Sequence, residues 1–317
     1  MKKYEPILQC EYGPLADKVC LEPDYFKGFE PARRQEIVAK EARFYRSITD
    51  AFSVDSQLEK AYVTYPSYDG AEIKMKYYKP LKKGDRRPAW IFIHGGGYMT
   101  CSVETHDFVP SYVAANADVV AFSVEYRLAP EYKFPVGLED CYEAVRWVWA
   151  HAEEFGVDPD RISLGGDSGG GNFTAVLTLM ARERGEFTLD KQVLIYPGTD
   201  MSGTVEKKSP KVYPPIGDER SKDSGPVAFY AGKDVDLTDP HLSPLLADSH
   251  AELPSALFIL AECDPLVDDG LMYAKALQDD GVAVECHVYK GMPHAFILRT
   301  YTETFAALDK ICAFMKA

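Results

Sequence analysis

The chain has 317 residues, 46% of them hydrophobic and 26% charged, with a formal net charge of −14. That length and composition suit one globular core carrying an insertion, and they exclude low-complexity and repeat architectures. Its acidity excludes nucleic acid and anionic membrane surfaces as partners, which leaves neutral or cationic small molecules.

After Met1-Lys2-Lys3 the only apolar pair is Ile7-Leu8, too short for a signal-peptide core. Residues 14–56 read as amphipathic helix. Arg33, Arg34, Glu36, Lys40, Glu41 and Arg43 lie on one side, and Ile37, Val38, Phe44 and Ile48 elsewhere. Residues 1–59 show no strand signal and stand as an N-terminal helical segment ahead of an α/β domain over 60–317, either one half of a cap or a helix that packs on the core. Ala61–Tyr65 and Glu72–Lys79 form an antiparallel hairpin around Ser67-Tyr68-Asp69-Gly70. The run Ala89–Ile93 is continuously apolar, as in a strand buried on both faces of a parallel sheet. A helix over His106–Asn116, a strand over Val119–Val124 and a long helix over Pro135–Phe155 follow.

Next come the strand Ile162–Leu164, a helix over Asn172–Arg184 and the strand Val193–Tyr196. From Asp200 to Pro240 the alternation lapses into a polar stretch punctuated by prolines, with a helix near Val227–Tyr230. This is read as a cap insertion near 200–240. Strand Ala256–Leu260, helix Leu266–Asp280, strand Val282–Tyr289 and a last helix Ala295–Met315 complete a mostly parallel, doubly wound sheet, whose sites lie at strand C-termini. No run of about 18 apolar residues occurs, so nothing is expected to span a membrane. The seven cysteines are odd in number and scattered, without a Cys-x-x-Cys pair, which reads as reduced thiols in a cytoplasm.

The chemistry concentrates in Gly165–Gly171, where an apolar strand turns directly into a helix. Such a turn strains its central residue and crowds its neighbours, so glycine is needed two residues before and two after; Gly166 and Gly170 sit there. A Gly-x-Ser-x-Gly elbow results, with Ser168 clear of the backbone and the Gly169 N–H at a helix N-terminus. No lysine follows the glycines as a phosphate loop needs, and no register gives Gly-x-Gly-x-x-Gly. Gly166–Gly170 also spells the nucleophile string of chymotrypsin-like proteases, but those are all-β and place their histidine and aspartate before the serine.

A serine nucleophile needs a base, and the base needs a carboxylate. Among the seven histidines, His294 lies in a loop after the last strand and can reach back over the sheet. Mid-strand His287 reads as packing or solvent-facing, and His106, His151, His241 and His250 as helix or linker residues. Asp264, just past the preceding strand, is the acid; Glu262 is its nearest rival, and Asp268 and Asp269 are expected to point away. The order Ser168, Asp264, His294 is that of α/β-hydrolases, and a glycine run at His94–Gly97 follows a central strand.

With these motifs on view, the chain resembles the hormone-sensitive-lipase-like family of α/β-hydrolases, esterases with an HGGG motif. The resemblance covers roughly Lys60 to the C-terminus, apart from much of Asp200–Pro240. It rests on HGGG at His94–Gly97, YRLAPE at Tyr126–Glu131, FP and LED around Phe134-Pro135 and Leu138–Asp140, GDSGG, DPL at Asp264–Leu266 and GMPHAF at Gly291–Phe296. It implies an α/β-hydrolase fold with a helical cap built from the N-terminal helices and the 200–240 insertion. By the same resemblance the oxyanion donors are the N–H groups of Gly96, Gly97 and Gly169, and His94 is structural. Two departures stand out: Gly169, where many members carry alanine, and Glu125, where aspartate is more usual. The function expected is hydrolysis of short-chain acyl esters through an acyl-enzyme, with no cofactor or metal. The alternative is a non-catalytic small-molecule-binding protein on the same fold. The natural ester and the oligomeric state stay open, with a homodimer as one candidate.

Overall fold

The structure, a computed structural model, describes residues 31–84, 86–213 and 226–317. The expected helix between residues 14 and 30 and the charged middle of the insertion lie outside them. In chain order the elements are α1 (Pro31–Thr49), β1 (Leu58–Pro66), β2 (Glu72–Pro80), β3 (Arg87–Ile93), α2 (Phe108–Ala117), β4 (Val120–Val124), α3 (Val136–Ala150) and α4 (Ala152–Phe155). They continue with β5 (Val157–Asp167), α5 (Gly169–Arg184), β6 (Lys191–Ile195), α6 (Ser209–Val212), α7 (Pro226–Ala231), β7 (Ser255–Cys263), α8 (Val267–Asp279), β8 (Val284–Pro293) and α9 (Thr302–Lys316).

The eight strands form one sheet in the order β1-β2-β4-β3-β5-β6-β7-β8. β2 pairs antiparallel with β1 and β4, and every other pairing is parallel. The unbroken apolar run of β3 is explained by burial on both faces. Ile91 and Ile93 enter the core beneath α3 and α5, while Trp90 and Phe92 enter the one beneath α2 and α9. A third cluster joins α8 to β6 and β7 through Phe258, Leu260 and Tyr273. Strands buried this way must send their connections across the faces, so their carboxyl ends gather at one edge of the sheet.

Three expected helices differ from those observed: the first ends at Thr49 rather than near residue 56, giving way to 3₁₀ turns at Asp50–Phe52 and Asp55–Gln57. The helix over Pro135–Phe155 breaks at His151, whose backbone N–H and ring Nδ1 both bond the Trp147 carbonyl, at 3.0 and 2.8 Å. The last helix begins at Thr302 rather than Ala295, because Ala295 has a left-handed backbone at φ +61° and a 3₁₀ turn at Phe296–Leu298 follows. That turn buries Phe296, Ile297 and Leu298, so their apolar letters reflect packing rather than helical period.

α1 lies over the carboxyl edge. Arg34 donates to the Ala129 carbonyl at 2.9 Å and pairs with Glu131, Arg46 pairs with Glu104, and the Arg299 guanidinium sits over the rings of Phe44 and Tyr45. The insertion meets the same edge, since Ser209 Oγ donates to the Pro265 carbonyl and the Tyr230 carbonyl accepts from the Phe134 N–H.

Candidate active site

β5 ends in Asp167, and the chain enters α5 at Gly169 with Ser168 alone between them. Ser168 has φ 54° and ψ −118°, a region that costs a side-chain-bearing residue free energy and persists only where the surroundings fix it. The close approach is measurable: a Cβ on Gly166 would stand 2.3 Å from the Gly170 carbonyl oxygen, and one on Gly170 2.0 Å from the Ile93 oxygen. Only glycine fits at either place. The Ser168 N–H is held by the Ile195 carbonyl at 2.9 Å.

The structure brings the three residues chosen for nucleophile, base and acid into one line. Ser168 Oγ lies 2.9 Å from His294 Nε2, and His294 Nδ1 lies 2.7 Å from Asp264 Oδ2. With Nδ1 protonated, the imidazole donates to Asp264 and accepts from the serine hydroxyl. Asp264 is fully buried, and its other oxygen accepts the Leu266 N–H at 2.8 Å, so both carboxylate oxygens are occupied. Glu262, the rival acid, instead accepts the Gly291 N–H at 2.8 Å and so braces the loop that carries His294.

The glycine run lies beside this line. Gly96 and Gly97 have φ +111° and +59°, and their N–H groups donate to no other described residue. The Gly169 N–H is the first of α5 and has no intrahelical acceptor. His94 is fully buried, stacks on Tyr126 with centroids 4.4 Å apart, and directs Nδ1 to the Gly95 carbonyl at 2.7 Å. Burial first, and the neighbouring His106 second, push its imidazole down to about 3.

Three features escape sequence reasoning. Asp167 is buried behind the elbow, where it accepts the Gly95 N–H at 2.7 Å and lies 3.1 Å from His106 Nε2. Burial pushes its carboxyl upward, but His106 and the Gly95 N–H outweigh that and hold it below its usual range. It thereby ties the glycine loop to the elbow. The signal was a charge at the end of a buried strand, which needs a partner. Second, Asp268 and Asp269 are fully buried and clasp the insertion. Asp268 accepts from the Lys208 and Ser209 N–H groups, and Asp269 from those of Thr199 and Asp200. Third, Asp140 bonds Arg127 through two nitrogens, which fixes the loop after β4.

A family profile described as the alpha/beta hydrolase fold matches residues 90–298. The chain belongs to the hormone-sensitive-lipase-like esterases of this fold. By family it is a carboxylic-ester hydrolase. It is 38% identical to carboxylic ester hydrolase LipN of Mycobacterium tuberculosis, over 71% of this chain and 61% of that protein. It is 34% identical to ethyl acetate hydrolase of Pseudomonas putida, over 72% of this chain and 73% of that one. The solved structure of the Pyrobaculum calidifontis esterase superposes with a TM-score of 0.80 at 35% identity, covering 90% of this chain and 98% of that one. At Gly169 of this esterase an added Cβ would lie 3.2 Å from the Tyr98 ring.

Proposed function

We propose that this protein hydrolyses short-chain carboxylic esters, with Ser168 as nucleophile, His294 as base and Asp264 as the carboxylate that fixes the imidazole. The single observation that carries this reading is the unbroken hydrogen-bonded line from Ser168 Oγ through His294 to buried Asp264. Ser168 attacks the ester carbonyl as its proton passes to His294 Nε2. The oxyanion is received by the N–H groups of Gly96, Gly97 and Gly169. His294 then protonates the departing alcohol, leaving the acyl group on Ser168, and a water activated by the same imidazole releases the acid.

We further propose that α1 and the 200–240 insertion act together as a cap over the carboxyl edge, which bounds the acyl group. The similarity to an ethyl acetate hydrolase supports a short acyl chain. Burial of Asp268 and Asp269 against residues 199–209 supports a cap held at a fixed height rather than an open surface. The scattered cysteines support a cytoplasmic site of action; the five described ones are unpaired.

Nitrophenyl esters of rising acyl length test the reading. Ser168→Ala and His294→Ala should each lower kcat by up to about 10⁶, Asp264→Asn by about 10⁴, and the effects should be strongly non-additive. Near wild-type turnover in His294→Ala would remove that residue from the mechanism.

A further inference from the structure

Three consecutive residues of the glycine loop have left-handed backbones: Gly96 at φ +111°, Gly97 at +59° and Tyr98 at +66°. Glycine takes such angles freely, but a bulky side chain does not, because its Cβ crowds the carbonyl. A tyrosine in that region stays only where its surroundings hold it. Here the Tyr98 ring is 6% exposed and packed by two partners from other elements. Tyr230 of α7 stacks on it, with centroids 4.2 Å apart and planes 14° from parallel, and Phe173 of α5 meets it at 5.3 Å. Against the elbow the ring comes so near Gly169 that a Cβ there would stand 3.2 to 3.4 Å away. α7 touches the loop once more, with Pro226 3.2 Å from the place a Cβ on Gly97 would occupy.

We propose that Tyr230 is a positioning residue for the oxyanion hole: stacked on Tyr98, it holds the left-handed loop whose Gly96 and Gly97 N–H groups receive the developing charge. The inference rests on the oxyanion-hole reading above and adds to it α7, an element of the insertion, acting through the Tyr98 ring. The Tyr230 hydroxyl is buried and has no partner among the described residues, so the ring and not the hydroxyl carries the role. Gly169 belongs to the same arrangement. An alanine there would press on the Tyr98 ring, and the ring must shift by a few tenths of an ångström, carrying the loop with it.

The full-length enzyme tests this with nitrophenyl butyrate turnover and with inhibition by a butyl trifluoromethyl ketone, whose adduct on Ser168 places an oxyanion in the hole. Tyr230→Ala should lower kcat about tenfold or more, with KM changed less than about threefold, and weaken the ketone by a similar factor. Tyr230→Phe should keep wild-type values of both. Gly169→Ala should lower kcat and ketone affinity together, and it probes the same ring without emptying the core should Tyr230→Ala not fold. Three results would overturn the proposal: a raised KM at unchanged kcat, which makes Tyr230 a substrate wall; a lowered Tm at unchanged kcat, which makes it packing; or unchanged ketone affinity. Wild-type kcat in Gly169→Ala would do the same. A ketone that fails to bind wild-type enzyme, or binds Ser168→Ala equally well, defeats the functional reading instead.

Discussion

His94 begins the HGGG motif, yet its imidazole is sealed from water, stacked on Tyr126 and uncharged. Its pKa is about 3 in the folded chain against 6.5 when exposed. The folded value is depressed, so the stability this group contributes is fully present above about pH 6.5 and is lost as pH falls toward the folded value. Between those limits the unfolded chain binds a proton that the native one refuses. We expect the unfolding free energy to fall by up to about 1.4 kcal/mol per pH unit from this residue alone, and His94→Phe, which keeps an aromatic ring on Tyr126, to flatten the slope by that amount. Chemical denaturation at stepped pH between about 4.5 and 6.5 measures it, above the range where Asp167 gains its proton. Equal slopes in the two proteins would mean that His94 is protonated inside the fold. At this scale the sequence was legible wherever a residue's chemistry matched its punctuation. Ser168 stood between spaced glycines, and Asp264 and His294 stood just beyond apolar runs. Asp167 was not legible, because its partners Gly95 and His106 lie far away in the chain and only the parallel pairing of β3 with β5 brings them together.

Among the elements, α8 shows most clearly where pattern reading stops. Its two first-turn aspartates suit a helix N-terminus and were expected merely to point away from the site. Both turn from the triad into the insertion, where Asp268 accepts backbone N–H groups and Asp269 joins Asp200 around a buried lysine. Lys207 Nζ lies 2.7 Å from Asp269 Oδ1 and 3.0 Å from Asp200 Oδ2, with all three side chains almost wholly buried. A polar, proline-punctuated stretch gives no sign of this in its letters, because the clasp is made largely of backbone N–H groups meeting carboxylates. The strands and helices around it were legible through their period; the insertion had none. Removing the cation leaves two carboxylates buried without their counter-charge. Lys207→Met should therefore cost about 3 to 5 kcal/mol. Lys211→Met, which breaks a pair 3.2 Å long between largely exposed partners, should cost under about 1 kcal/mol. Urea unfolding of the two variants side by side gives the comparison, and similar midpoints would show that the clasp contributes nothing beyond a surface pair.

The whole molecule carries a net charge of −14, and among the described residues no helix is long and apolar enough to cross a membrane. Among the described residues the exposed large apolar side chains are scattered along the chain, from Phe44 on α1 to Tyr301 before α9. Phe44 on α1 lies under the Arg299 guanidinium, and Phe52 packs against Phe305 at 4.7 Å. An enzyme that works at an oil droplet needs a broad apolar face to adsorb, and its anionic charge must not oppose the approach. Neither condition is met by the described surface. The residues of the insertion that lie outside it include five charged ones, Asp218, Glu219, Arg220, Lys222 and Asp223. On the proposed reading the ester arrives as a dissolved molecule, and its acyl chain ends beneath the proposed cap at the carboxyl edge of the sheet. Each methylene that fits should improve kcat/KM by up to about 0.8 kcal/mol until the space is filled, after which the profile should turn down. We expect the optimum between acetyl and about hexanoyl esters, no jump in rate as a substrate passes its solubility limit, and no adsorption to anionic vesicles at about 0.1 M salt, where repulsion still acts over about 10 Å. Turnover of nitrophenyl esters across the solubility limit and vesicle co-sedimentation read out both. A preference for chains of about sixteen carbons, roughly ten more methylenes than the expected optimum holds, would require far more apolar surface than a fixed cap provides. Taken with activation at the emulsion surface, it would make α1 and the insertion a lid that opens.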